Sequence, residues 1–174
     1  MQRLCVLCLA GVFSGLAAGG ALADNRFTVG VEGLHDRYQE PNATVDISTY
    51  YGSVTGSYEH TANGYFSALD ARYSQGNEYY KSDSGTLNGE PSLETDIRVR
   101  TGLDVKMWHG HLMPYIGLGW RYYFDQGKGR QTNLGNLAYD RHISQFYIPI
   151  GGTYRFSQGD WNFAGVMLLL GAAA

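Results

Sequence analysis

The sequence predicts an all-β chain: an up-and-down antiparallel transmembrane β-barrel of the eight-stranded type. Three observations carry that prediction. Several segments alternate apolar and polar residues with period two, longer and shorter connections follow one another, and aromatic residues recur at the ends of the alternating segments.

Residues 1–23 read as an export signal. Arg3 supplies the positive start, an apolar run extends from Leu4 to about Leu16, and Ala21-Leu22-Ala23 has the small-x-small pattern of a signal-peptidase site. The run is too short to cross a bilayer comfortably as a helix. The mature chain is expected to start near Asp24 and to form one barrel domain over 24–174. Both cysteines, Cys5 and Cys8, precede the cleavage site, so the mature chain has no disulfide, no thiolate and no cysteine for a lipid anchor. Without Arg3 it carries 12 basic against 16 acidic residues, a net of −4, which argues against nucleic acid as a partner. Mean hydropathy lies slightly below zero in a chain with 24 Gly and 14 Tyr. Membrane helices would raise it; a membrane barrel need not, because only alternate residues face lipid.

The clearest strand is Asp96 to Met107. Asp96, Arg98, Arg100, Gly102, Asp104 and Lys106 occupy one face; Ile97, Val99, Thr101, Leu103, Val105 and Met107 occupy the other. Its length suits a tilted strand crossing a bilayer. Arg at Val99 or Leu103 is expected to impair insertion, and Ser or Thr at Gly102 to be milder. The same alternation covers Tyr65 to Ser74, Tyr115 to Phe124 and Gln145 to Phe156, and more weakly Arg26 to Arg37 and Asp46 to Glu59. Pro149 cannot donate to a ladder and predicts a bulge.

The connections alternate. Tyr38 to Thr44 is intermediate, His60 to Asn63 short, Gln75 to Ser92 long, His109-Gly110-His111 minimal, Asp125 to Leu137 long and Gly-rich, and Ser157 to Asp160 short. Loops 38–44, 75–92 and 125–137 are expected outside, with tight turns in the periplasm. Tyr65 and Tyr73 share a face roughly 26 Å apart along a strand, which suits two aromatic girdles. Tyr122 and Phe124 are expected at the outer rim, and Trp108, Tyr154 and Phe156 toward the periplasmic rim. From Asn162 onward the alternation collapses. Trp161 opens a seventh strand and no eighth follows, so the barrel is expected to be incomplete after about 161, through truncation or a frameshift, with a strand count off by one or closure by oligomerisation as the alternatives.

The charges expected inside are Glu32, Asp70, Arg72, Asp96, Arg98, Arg100, Asp104, Lys106, Arg121 and Arg155. Small barrels are filled by side chains, and opposite charges in such an interior must pair. A salt-bridge plug is therefore expected, with a narrow polar pathway for ions or small solutes as the alternative. Inward Gly117 and Gly119 leave room beside Arg121 or make space for Tyr115, Tyr123 or an arginine head group. Asp36, Glu40, Asp83 and Glu90 read as solvated loop charges. His109-x-His111 reads as a polar turn rather than a metal site, since it lacks a nearby third ligand. No metal or cofactor is called for.

His142-Ile143-Ser144 resembles the His-x-Ser pair of the outer-membrane lipid A deacylases, with Asp140 the only nearby acid. That resemblance covers two residues and implies a lipid A-modifying barrel hydrolase as an alternative function. Across 26–161, the texture of Tyr115-Ile-Gly-Leu-Gly-Trp-Arg-Tyr-Tyr-Phe124 and Tyr147-Ile-Pro-Ile-Gly151 resembles the small OmpA/OmpX-like outer-membrane barrels of Gram-negative bacteria. The resemblance implies the cell outer membrane and a structural or surface-interaction role, not catalysis. The partners expected there are outer-membrane lipid and lipopolysaccharide, the barrel-assembly machinery during biogenesis and an unspecified extracellular ligand, with the chain a monomer.

Overall fold

A computed structural model describes residues 9–15, 23–39, 44–108, 110–158 and 161–165. All regular structure among them is β, in ten strands: β1 Leu9–Gly15, β2 Ala23–Gln39, β3 Asp46–Ala62, β4 Tyr65–Ser82, β5 Gly85–Leu103, β6 Val105–Met107, β7 Gly110–Asp125, β8 Arg141–Tyr147, β9 Ile150–Gln158 and β10 Trp161–Gly165. They make one antiparallel sheet in the order β1-β2-β3-β4-β5-β7-β9-β10, with β6 and β8 also laid along β7.

The expected strands are present, although the segment 96–107 is interrupted at Asp104 between β5 and β6, and several are longer than the alternation revealed. The segment 75–92 is not a loop. β4 runs on to Ser82 and β5 begins at Gly85, so the connection is the turn at Asp83 and Ser84. Its outward residues, such as Gln75, Asn77 and Lys81, are polar and exposed. With polar residues on both faces there is no apolar period to read. The register of this hairpin shifts between Glu78 and Tyr79.

Pro149 is also placed differently from expectation. β8 stops at Tyr147 and β9 starts at Ile150, yet both keep one register on β7, with Gly119 opposite Tyr147 and Ile116 opposite Ile150. The ladder is interrupted rather than bulged: Pro149 lacks the N–H, but its carbonyl still accepts from Gly117 N at 2.9 Å. Between β3 and β4 the two-residue turn is Asn63-Gly64, with φ of 53° and 79°. Positive φ at both positions is what a type I′ hairpin demands.

Within the segment read as an export signal, Leu9–Gly15 lies as β1 along β2, from Leu9 opposite Gly33 to Gly15 opposite Phe27. Were the chain cleaved after Ala23, as the sequence predicts, β1 would be removed and β2 would become the sheet edge. At the other end, Trp161 does open a strand, β10, paired with β9. The sequence beyond Gly165, where the alternation collapses, lies outside the described residues.

The sheet is curled. In a flat sheet β3 and β9, four strands apart in the order, would be separated by about 19 Å at roughly 4.8 Å per strand. Yet Arg155 Nη1 of β9 lies 2.8 Å from Glu59 Oε1 of β3. Arg141 of β8 likewise reaches Glu78 of β4, and the rings of Tyr51 and Tyr123 meet edge to face at 6.5 Å. The concave side holds the charges. The convex side holds an exposed apolar belt that includes Val29, Val31, Val54, Leu69, Val99, Leu118 and Phe146. Tyr73 and Tyr122 lie in one row across the sheet through Thr95, at one margin of this belt. Tyr65 lies at the other margin, and Trp108, 84% exposed, lies beyond it.

Candidate functional site: the polar interior of the curled sheet

The concave face is a column of polar residues in tiers, each produced by strand parity. Inward residues are odd on β3, β7, β8 and β9 and even on β4 and β5, so one row across the sheet brings their side chains to one level.

In the lowest tier Phe66, Ala68, Met113 and Tyr115 form a small buried apolar cluster. Beside this cluster Arg155, from the row of Lys106 and His111, grips Glu59, from the row of Ala68, at two points. Next, Asp70 accepts from Arg98 Nε at 3.1 Å, from Arg100 Nε at 2.6 Å and Nη2 at 2.9 Å, and from Ser57 at 2.7 Å. The Arg100 guanidinium also sits 4.9 Å over the Tyr115 ring. One tier higher, Arg72 pairs with Glu94 and lies 3.5 Å from Glu32, while Arg121 Nε donates to Asp96 at 2.9 Å and lies 3.6 Å from Glu94. Tyr147 donates to Asp96 at 2.7 Å.

Of the ten charges expected inside, Glu32, Asp70, Arg72, Asp96, Arg98, Arg100, Arg121 and Arg155 take part in these ion pairs. Asp104 and Lys106 do not. Asp104 pairs instead with His111 Nδ1 at 2.6 Å, and Lys106 is exposed at the end of the sheet. In these tiers Glu32, Glu59, Asp70, Glu94 and Asp96 each face an arginine, which is what makes a buried charge tolerable. The space over Gly119 is filled by the Tyr147 ring, whose carbons come within 2.2 Å of where a Cβ would stand.

The tier farthest from the apolar cluster was not legible as a site. Glu78 stands opposite Glu90, and Asp125 opposite Arg141. All three carboxylates are buried, so Glu90 is not the solvated loop charge the sequence suggested. It sits on the extended part of β5, where a loop was expected. Arg141 contacts Glu78 and lies 3.1 Å from Asp125 Oδ2, and Tyr123 donates to Glu78 Oε2 at 2.9 Å. Burial, then the neighbouring Asp125 charge, pushes the Glu78 carboxyl up to about 7; burial also raises Glu90. This tier lies five residues past Tyr73, beyond the apolar belt. Beside it, between β2–β3 and β7–β8, is a cavity of about 220 Å³. Asp36, half-buried, lines it; Asp83 is exposed, and Glu40 lies outside the described residues.

Of the residues missed, Glu59 and Glu94 carried a signal, since each shares the parity of an inward face. Glu78, Asp125 and Arg141 share the inward parity of their strands as well, but they lie where the sequence reads as loop or is unassigned, so the parity does not extend to them there.

His142, Ser144 and Asp140 do not converge. His142 Nδ1 meets the Tyr122 hydroxyl at 2.7 Å, Ser144 Oγ accepts from Trp120 Nε1 at 2.7 Å, and Asp140 accepts from the Lys128 amide at 2.9 Å. His142 and Ser144 are exposed on the convex face. An activated serine needs its base beside it and an acid behind the base, and neither contact is made. His109 lies outside the described residues.

Beyond the belt, residues 126–140 form a strap over the β4–β5 hairpin. The Asn133 amide N–H donates to Thr86 O at 3.0 Å and its side chain accepts from Thr86 N at 2.8 Å. Thr132 Oγ and Asn136 Nδ2 both donate to Ser84 O at 2.7 Å. Comparison with known proteins returns no match: no family model, no curated protein and no solved structure is significantly similar to this chain.

Proposed function

We propose that the chain is an outer-membrane β-barrel of the small OmpA/OmpX-like kind, acting structurally or through surface interactions of its hairpin and strap. The observation that carries this reading is the inverted polarity of the sheet. A water-soluble barrel points its apolar face inward; here the aliphatic belt is outside and the ion pairs are inside. An exposed apolar surface of this extent needs a nonpolar solvent. On this reading both edges of the sheet, at β2 and at its far end, must be paired in the membrane, which calls for strand beyond the regular alternation that ends near Trp161, since an open edge is not tolerated in hydrocarbon. The interior ion pairs act as a plug, leaving the strap and the β4–β5 hairpin tip as the surface offered to a partner. The test is fractionation. Processed protein, cleaved after Ala23, is expected in outer membranes and resistant to carbonate extraction. Recovery as cleaved, freely soluble periplasmic protein overturns the reading.

A further inference from the structure

We propose that the cavity beside Glu78 and Asp125 binds a small organic cation, an alkylammonium whose methylenes pack on Ile47 and Ile143. The inference goes beyond the membrane reading and does not depend on it, because the cavity lies past the apolar belt.

The first support is a carboxylate that lacks donors. Asp125 is fully buried, and neither of its oxygens accepts a hydrogen bond. Its ion-pair neighbour Arg141, 3.1 Å from Oδ2, is shared with Glu78 and also stacks over the Tyr80 ring at 5.9 Å. A buried carboxylate is stabilised only when several donors reach it, and an ammonium group brings three.

The second support is the charge around the cavity. Asp36 from β2, Glu78 from β4 and Asp125 from β7 line it against the single guanidinium of Arg141 from β8; β3 contributes Thr49, which is neutral. Glu90 from β5 stands opposite Glu78 and is itself acted on by the charges of Arg130 and Asp140 of the strap. The acidic excess thus persists beyond the lining.

The third support is shape. A volume of about 220 Å³ holds roughly seven waters' share of liquid, suited to a chain of a few carbons. Ile47, Ile143 and the Tyr38 ring supply apolar wall. A hard metal ion fits poorly, since it wants six or more oxygens at close range and no guanidinium among them. Among the described residues no group of three His, Cys, Asp or Glu is set to hold a metal.

The test uses the full chain, in nonionic detergent or in buffer as its solubility dictates, titrated calorimetrically with 1,4-diaminobutane and with butylammonium. The uncharged control is butanol. Saturable one-to-one binding of the amines is expected at pH 8, with none for butanol. Affinity should fall about tenfold by pH 5.5, the size expected for losing one charge-assisted contact as Glu78 takes a proton. Asp125→Asn should abolish binding, Ile143→Trp should block it by filling the cavity, and Asp104→Asn, at the far end of the sheet, should leave it unchanged. If Asp125→Asn does not fold, the pH series and the butanol control on the native chain decide. No saturable amine binding overturns the proposal. So do equal binding of butanol, calcium binding without amine binding, or wild-type affinity in a folded Asp125→Asn variant. Failure here leaves the outer-membrane reading standing, since that rests on fractionation alone.

Discussion

Glu59 of β3 and Arg155 of β9, 96 residues apart, are joined by two parallel hydrogen bonds of 2.8 and 3.2 Å across the concave face of the sheet. No ladder connects these strands. The pair therefore reports the curl itself, and it is a two-point contact of the kind that fixes geometry as well as energy.

Glu59→Gln or Arg155→Met should each destabilise the fold by about 2–4 kcal/mol, since each leaves one partner's charge largely buried and uncompensated. Removing both should cost less than the two single losses added together. Urea unfolding of the four proteins in detergent measures the coupling; strictly additive losses would mean the contact does not hold the curl.

On β5 the outward Val99 is 55% and Leu103 45% exposed, while Arg98 and Arg100 turn inward to Asp70. In a membrane, Val99→Arg or Leu103→Arg should each cost about 2–4 kcal/mol near the midplane. Gly102→Ser, expected from the sequence to be milder than these, should instead be severe. A Cβ there would stand 2.0 Å from the Pro114 carbonyl oxygen and 2.9 Å from the Phe66 ring, and a backbone atom cannot step aside. Yields of heat-modifiable folded protein on insertion into vesicles rank the three; a Gly102→Ser variant that inserts like the wild type would refute the crowding.

Glu78 should make stability depend on pH. Its folded pKa, about 7, is raised above the ordinary 4.5, so the unfolded chain releases this proton first as pH rises. The stability it contributes is complete below about 4.5 and is lost as pH climbs through 7. Melting temperature should therefore fall from pH 5 to pH 8, and Glu78→Gln should remove most of that slope. A smaller slope should remain, because Glu90 is raised as well. An unchanged slope in Glu78→Gln would assign the titration elsewhere.

Gly119 and Tyr147 make a further pair. Gly119→Ala would set a methyl within 2.2–2.6 Å of the Tyr147 ring carbons and drive the ring from its bond to Asp96. The expected loss is about 1–3 kcal/mol, as for overpacking in a filled interior. Tyr147→Ser should relieve most of it when combined with Gly119→Ala. Thermal melts decide: a double variant no better than Gly119→Ala alone would show that the ring is not what the methyl strikes.

Local pattern was enough to find the strands and the faces. The alternation from Asp96 to Met107 assigned Arg98 and Arg100 to one side and Val99 and Leu103 to the other, because successive side chains of a strand must point oppositely. It failed where the pattern itself is absent. Around 75–92 both faces are polar, so the tall hairpin read as a loop; at Asp125 and Arg141 the neighbouring glycines and asparagines hid the strand ends.

The sequence by itself thus determined an antiparallel all-β chain with charges on one face, through a periodicity contained in each strand. Only the tertiary structure decided which charge meets which. Arg155 finds Glu59, Arg141 serves Glu78 and Asp125 together, and Tyr147 takes the space over Gly119. These partners lie on strands brought together by curl and register, and parity within a strand does not encode the distance across the sheet.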